Sequence, residues 1–233
     1  PLVHSVRRTN IDTSNIFNLC SVSTMRDIRK EYRDGGEISL TEKEGPLDLL
    51  SRWIEDARES GVTEPNAMCL ATVDEHGRPH NRMVLLKHLE GEEVGFFTNM
   101  ESDKSTQIMS CDSVAVTIWW PEMERQGRIE GRAKPMGRAL VEEYHSSRPR
   151  NSRIAVRASQ QSRPLGSRAE LLKRFQQEEL QFEGKEVPLP EYWGGFTIKA
   201  DRIEYWSGRP SRLHERVVLT KGSESWSQKR LYP

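Results

Sequence analysis

Apolar positions along the chain change their period more than once, and each change marks an element. From Pro46, a residue suited to the first turn of a helix, Leu47, Leu50 and Ile54 recur beside a second row of Leu49, Trp53 and Ala57. These three- and four-residue steps predict an amphipathic helix stopped by Gly61. The period then falls to two. Residues 67–73, 80–87, 94–98, 113–120 and 127–133 are short runs separated by turn residues such as His76-Gly77, Glu90-Gly91 and Pro121-Glu122. Five strands at this spacing imply an antiparallel meander or a barrel. Helical spacing is expected at 102–110, about 137–147 and 167–182, and strands return at 196–200, 203–206 and 213–219. No internal repeat or low-complexity tract is visible.

Composition narrows the class. At 233 residues the chain suits one ordinary to large domain, or at most two small ones, with a sizeable core. A hydrophobic share of 35% and a mean hydropathy of -0.74 are low, which points to a modest core, long polar loops or burial through a subunit interface. Six Trp, six Phe and five Tyr spread through periodic segments argue against full disorder. The 35 Lys plus Arg cancel 35 Asp plus Glu, removing the global electrostatic case for a nucleic-acid or membrane-surface partner. The longest apolar stretch, 114–120, is far too short to span a bilayer. Cys20, Cys69 and Cys111 are odd in number and widely spaced, which argues against a disulfide framework or a zinc ribbon and for a reducing, cytoplasmic compartment. Residues 1–24 hold seven Ser or Thr, Arg7, Arg8 and one acid, Asp12. A disordered arm is favoured over a transit-like leader, which would make the location mitochondrial. A charged arm, helical or extended, follows from residue 25.

Candidate chemistry concentrates in residues 144–169, which carry Arg148, Arg150, Arg153, Arg157, Arg163 and Arg168 and no acid. Arg with Ser or Tyr nearby suits a small phosphate, although charge alone favours a solvated basic loop. Arg209, Arg212, His214 and Arg216 form a second basic group in a turn entering a strand. His76 and His80 flank Gly77 and Pro79, so they cannot share a helix face as metal ligands and read as turn histidines. Neither a dinucleotide fingerprint, a P-loop nor a G-x-S-x-G nucleophile elbow occurs. Trp119, Trp120, Trp193, Trp206 and Trp226 are core or interface residues by default, any of which is able to cover a flat ring.

A set of short motifs adds to this. Arg82-Met83-Val84-Leu85-Leu86-Lys87, Phe96-Phe97-Thr98-Asn99, Arg125-Gln126, Glu130-Gly131, Tyr144 with Ser147-Arg148-Pro149, Gln161-Ser162, Trp193-Gly194-Gly195 and Arg212-Leu213-His214-Glu215-Arg216 occur in this order. In order and spacing they resemble the pyridoxine 5'-phosphate oxidase family, from about Met25 to Pro233. The resemblance implies a mainly β fold, an antiparallel Greek-key split β-barrel binding FMN and flanked by α-helices. It also implies a homodimer with two cofactor sites at the subunit interface. Residues 1–45 would then be a flexible arm, and 46–233 the oxidase domain with its C-terminal dimerisation region.

Carried over residue by residue, the resemblance places Arg82, Met83, Val84, Leu85, Phe97, Thr98, Lys104, Gln126, Gln161, Ser162, Trp206 and Arg216 at FMN. Lys87, Tyr144, Arg148 and Ser152 would hold the phosphate of a vitamin B6 substrate, with Arg212 and His214 over its pyridine ring as the catalytic pair. The implied reaction oxidises pyridoxine or pyridoxamine 5'-phosphate to pyridoxal 5'-phosphate, with hydride passing to FMN and electrons to O2. No metal is implied. Departures from the family pattern are Asp103, where an Arg is usual, Arg157 in an apolar position, Gly127 inside a strand, and Tyr232 near the C-terminus. Asp103 predicts a weakened hold on the FMN phosphate. The alternative is a non-catalytic pyridoxal-phosphate-binding protein on the same scaffold.

Overall fold

A computed structural model describes residues 30–41 and 43–233, so the leader-like reading of 1–24 and most of the charged arm lie outside the described residues. Tyr32 to Pro233 form one compact unit.

The expected first helix is α1 (Asp48–Glu59), and its buried stripe is Leu49, Leu50, Trp53 and Ala57. It stops where predicted: Gly61 takes φ +75°, and the Val62 N–H returns to Ala57 O at 3.0 Å. The alternating runs form β1 (Ala67–Val73), β2 (Pro79–Leu85), β4 (Glu93–Asn99), β5 (Ser113–Trp120) and β6 (Arg125–Pro135), with a three-residue β3 (His88–Glu90) between β2 and β4. Helix α2 (Asp103–Ser110) leaves β4, and α3 (Arg138–Ser147) follows β6.

Two expectations are corrected at this level. The basic segment is not a loop: Arg150–Ala158 form a helix, α4, which leads towards α5 (Arg168–Gln181). The strands expected at 196–200 and 203–206 are one 15-residue strand, β7 (Trp193–Ser207). A bulge joins the two halves, because Glu130 pairs with Arg202 while Gly131 pairs with Ala200, leaving Asp201 as the extra residue. The last expected strand begins later, as β8 (Glu215–Lys221), and pairs with β9 (Trp226–Arg230).

All pairings are antiparallel, in the order β2-β1-β5-β6-β7-β4-β3, with β8 also on β7. One edge of β7 runs along β6, while its other edge serves β4 with its first half and β8 with its second. The sheet therefore curls into a half-barrel, mainly β with helices around it, as expected. Gly131 is required at the bulge: a Cβ there would stand 2.0 Å from the Lys199 carbonyl oxygen.

Helix α1 packs on the sheet through Trp53, edge-on to Trp120 and Tyr205. The buried Tyr205 hydroxyl donates to Pro46 O (2.8 Å) and accepts from Leu50 N–H (3.2 Å), which fixes the helix start on β7. Each such buried large side chain contributes roughly 1.5–3 kcal/mol. Gly127 is explained here, since a Cβ would press on Leu50 Cδ1 at 2.9 Å; the small residue lets α1 sit close. Residues 35–38 also lie on the sheet. Gly35 N–H donates to Gly208 O (2.9 Å), Ser207 Oγ donates to Gly36 O (2.7 Å), and Ile38 is buried.

Candidate functional site

A cavity of about 670 Å³ opens between β2, the end of β4, the start of α2 and helices α3 and α4. Its wall includes Arg82, Met83, Val84, Leu85, Lys87, Phe97, Thr98, Lys104, Tyr144, Arg148, Ser152, Gln161 and Ser162, all expected from sequence. Four cations face it, Arg82, Lys87, Lys104 and Arg148, against one acid, Asp103.

The cations are organised by neutral partners. Arg82 donates to Thr72 Oγ1 (2.6 Å) and Gln107 Oε1 (2.9 Å). The Lys104 ammonium donates to Gln161 Oε1 (2.8 Å), Thr98 Oγ1 and Ser102 Oγ (both 3.2 Å). Burial pulls its pKa down to about 8; nearby Arg82 acts in the same direction and Asp103 opposes. Burial likewise lowers Arg82 and Arg148 from the ordinary guanidinium range. Arg148 stacks over Trp193 at 4.9 Å, and its buried Nη1 has no hydrogen-bond partner. Cations held in a desolvated wall by neutral groups, one with an orphaned N–H, suit an anion that supplies the missing charge.

Phe97 and Tyr144 stack at 4.0 Å, nearly parallel, and Trp193 continues the same orientation at 5.6 Å from Phe97. This slab fixes the Tyr144 ring at the cavity. Ser162 has φ +69°, a left-handed backbone costing about 1–3 kcal/mol in a non-glycine residue. Its Oγ accepts from Asp103 N–H at 3.3 Å.

Sequence reading missed part of the wall: Asn99, Ala155, Val156, Ser159 and Trp193. Ser152, Ala155, Val156 and Ser159 follow i, i+3, i+4, i+7, one helix face that becomes readable once α4 is recognised. Three of the six arginines serve other ends. Arg150 donates to Phe182 O (2.5 Å) and Lys185 O (2.8 Å), and Arg163 to Glu101 O (2.9 Å). Arg157 bonds Glu178 of α5 at 2.8 Å and lies over Phe182, so this departure faces away from the cavity wall and ties α4 to α5. Asp103 is 62% exposed, with its Oδ1 4.0 Å from Arg163 Nη1.

Five expected residues stand apart from the cavity. Gln126, Trp206 and Arg216 are cross-strand neighbours in one register row, and Trp119 extends it. His214 packs on Trp206 at 4.7 Å and on Tyr32 at 4.8 Å, and its Nδ1 accepts from Arg209 N–H at 3.1 Å. Ser211 and Arg212 both have positive φ (57° and 62°), holding Arg212 out in an exposed turn. The next row on this sheet face runs Met83, Cys69, Thr117, Arg128, Glu204. Met83 (63% exposed) and Trp119 (42%) are the large apolar side chains exposed on this otherwise mixed, charged face. Of the two expected turn histidines, His76 is in the turn, where Asp74 accepts from His76 N–H and Arg78 N–H (both 2.9 Å), while His80 stands in β2 with its Nε2 3.2 Å from Asp74 Oδ2. Among the described residues no His/Cys/Asp/Glu group suits a metal, Cys69 and Cys111 are free thiols, and no helix is long and apolar enough to cross a membrane.

Comparison with known proteins gives consistent matches. The family model for pyridoxamine 5'-phosphate oxidase matches residues 54–182, and that for the pyridoxine 5'-phosphate oxidase C-terminal dimerisation region matches 193–233. A pyridoxine/pyridoxamine 5'-phosphate oxidase of Leptospira biflexa serovar Patoc is 46% identical over 188 residues, 81% of this chain and 89% of the relative. One of Shewanella frigidimarina is 39% identical over 212 residues, 91% of this chain and all of the relative. Among solved structures, PhzG of Burkholderia lata 383, in complex with tetrahydrophenazine-1-carboxylic acid, is 25% identical with a TM-score of 0.77, over 85% of this chain and 100% of that one. A pyridoxamine 5'-phosphate oxidase-related, FMN-binding protein of Nostoc punctiforme shares the fold at 16% identity, with a TM-score of 0.67 over 82% and 99% of the two chains.

Proposed function

The chain belongs to the pyridoxine/pyridoxamine 5'-phosphate oxidase family, and from that membership we propose that it uses FMN to oxidise pyridoxine or pyridoxamine 5'-phosphate to pyridoxal 5'-phosphate. The observation that carries this reading is the cavity's set of cations, of which Arg82, Lys104 and Arg148 are partly desolvated, with the orphaned Arg148 N–H among them. Two phosphates need two cationic ends. Arg82 and Lys104, with Thr98, Gln161 and Ser162, form one end and would hold FMN. Lys87 and Arg148, with Tyr144 and Ser152, form the other and would hold the substrate phosphate. The donor chemistry fits, since both ends offer N–H and O–H groups and only Asp103 opposes.

Held at the Arg82 and Lys104 end, FMN would supply the two-electron chemistry, as hydride acceptor for the substrate C4' and as the group that O2 reoxidises, with hydrogen peroxide as the reduced product. The chain's own residues bind and orient. A phosphate clamp on a desolvated wall fixes the pyridine ring, and orientation of this kind contributes up to roughly 7–11 kcal/mol to a rate in favourable cases. The slab of Phe97, Tyr144 and Trp193 forms one flat aromatic side of the site.

Gln126, Trp206, Arg212, His214 and Arg216 enter this reading through a second copy of the chain. The match to a dimerisation region, with Met83 and Trp119 exposed on the same sheet face, supports a homodimer in which this face of each copy completes its partner's cavity. His214 then acts as a donor. Its Nδ1 is occupied by Arg209 N–H, and burial, reinforced by Arg212 and opposed by Glu124, lowers its pKa. At neutral pH it presents Nε2–H to the substrate rather than a free base.

The test is product formation. Purified protein saturated with FMN and given pyridoxine 5'-phosphate in air is expected to yield pyridoxal 5'-phosphate and hydrogen peroxide in equal amounts. No aldehyde under those conditions would overturn the reading.

A further inference from the structure

Glu204 is the unexpected charge on the sheet face that carries Trp206 and Arg216. It is 2% exposed, in the second half of β7, and its two oxygens face three guanidinium groups. Oε1 accepts from Arg216 Nε (2.9 Å) and lies 2.8 Å from Arg216 Nη2. Oε2 accepts from Arg202 Nη2 (2.9 Å), with Arg128 Nη1 at 3.5 Å. Arg202 is in turn held by Glu130 at 2.7 Å. Burial raises the Glu204 pKa, but the bonds from Arg202 and Arg216 outweigh it and hold the carboxyl below its usual range.

A buried ion pair is a poor way to add stability, because desolvation of both charges consumes most of the attraction and apolar residues of similar volume do as well or better. What such a pair does supply is a fixed direction for a long, flexible side chain. Arg216 has five N–H donors. Two engage Glu204, and one, on Nη1, engages the carbonyl oxygen of Tyr232 at 3.1 Å. Two remain, aimed by the partners of the other three.

We propose that Glu204 is a positioning residue for cofactor binding: a buried carboxylate that touches no ligand and fixes the guanidinium of Arg216 so that its two remaining N–H groups meet FMN in the partner copy's cavity. This rests on the reading of Arg216 as a cofactor contact. It predicts that FMN affinity depends on Glu204 only as long as Arg216 is present.

A double-mutant cycle on the apo-dimer, read by quenching of FMN fluorescence, tests it. Glu204→Gln is expected to weaken FMN binding roughly 10-fold while the sedimentation coefficient stays that of wild type. In an Arg216→Ala background the same change should have almost no further effect. Glu204→Asp, which keeps the charge but retracts the oxygens by one methylene, runs beside it, and the cycle is read on whichever variant keeps the wild-type circular dichroism. Wild-type affinity in the Glu204 variant, or an undiminished loss in the Arg216→Ala background, overturns the positioning role. If Arg216→Ala alone leaves FMN affinity unchanged, the assignment of Arg216 to the cofactor is what fails.

Discussion

The guanidinium of Arg148 lies 4.9 Å over the ring of Trp193 with its Nη1 buried and unpaired. Stacking holds the group flat and in place, and the missing partner is left for the ligand. Arg148→Ala is therefore expected to raise KM for pyridoxine 5'-phosphate by roughly 10- to 100-fold, the value of one charge-assisted hydrogen bond, with FMN retention unchanged. Steady-state kinetics beside an FMN titration check both halves. An unaltered KM would remove Arg148 from the substrate-phosphate site.

Lys104 makes cofactor binding dependent on pH. Its pKa in the folded apo-protein is about 8, against 10.5 for an ordinary lysine. Between those values the folded state binds fewer protons than the unfolded chain, so this group's contribution to apo-protein stability rises with pH across that window and is unfavourable below it. A phosphate beside the ammonium restores the charge, so FMN binding takes up a proton above pH 8. Affinity should fall there by up to about 10-fold per pH unit, and Lys104→Met should flatten the profile. A wild-type FMN titration that is flat between pH 7 and 10 would contradict this; those pH limits bracket the value of about 8.

Asp103 is the one acid on the cavity wall, beside Lys104 and loosely paired with Arg163. Being 62% exposed, it acts through solvent, so the effect is modest. Asp103→Asn should tighten FMN binding by roughly 3-fold and Asp103→Arg by roughly 10-fold, the scale of a half-exposed ion pair. Equal dissociation constants for all three would mean that the side chain turns to Arg163 and not to the phosphate.

How far the fold was legible depended on whether burial left a period in the sequence. Leu49, Leu50, Trp53 and Ala57 did, as did the alternation of β5, where Val114, Val116, Ile118 and Trp120 all point inward. Helix α4 buries only Ile154 and Ala158, and its arginines hid the helical face that lines the cavity. Strand β7 read as two because Asp201 and Arg202 interrupt the apolar run, and the polar β9 left no alternation to see. The cavity residues were found through short motifs, not through charge: of the six arginines, only Arg148 lines the wall. What no single-chain pattern conveys is the separation of Gln126, Trp206, Arg212, His214 and Arg216 from that wall, a separation that the proposed dimer would close.

Gly131 offers a test of the fold itself. A methyl group there would meet the backbone carbonyl of Lys199 at 2.0 Å, at the bulge that joins the halves of β7. Gly131→Ala should cost about 1–3 kcal/mol or more, lowering Tm by roughly 2–4 °C per kcal/mol in a protein of this size. A melting curve matching wild type would show that β6 and β7 do not approach as described.

The most direct measurement is an anaerobic flavin spectrum. Protein saturated with FMN and freed of oxygen should lose its visible flavin absorbance when pyridoxine 5'-phosphate is added and regain it on admitting air. Unphosphorylated pyridoxine at the same concentration should leave the absorbance nearly intact, because the Lys87 and Arg148 end of the cavity would hold nothing. Flavin absorbance that is unchanged by the phosphorylated substrate would contradict the account at its centre.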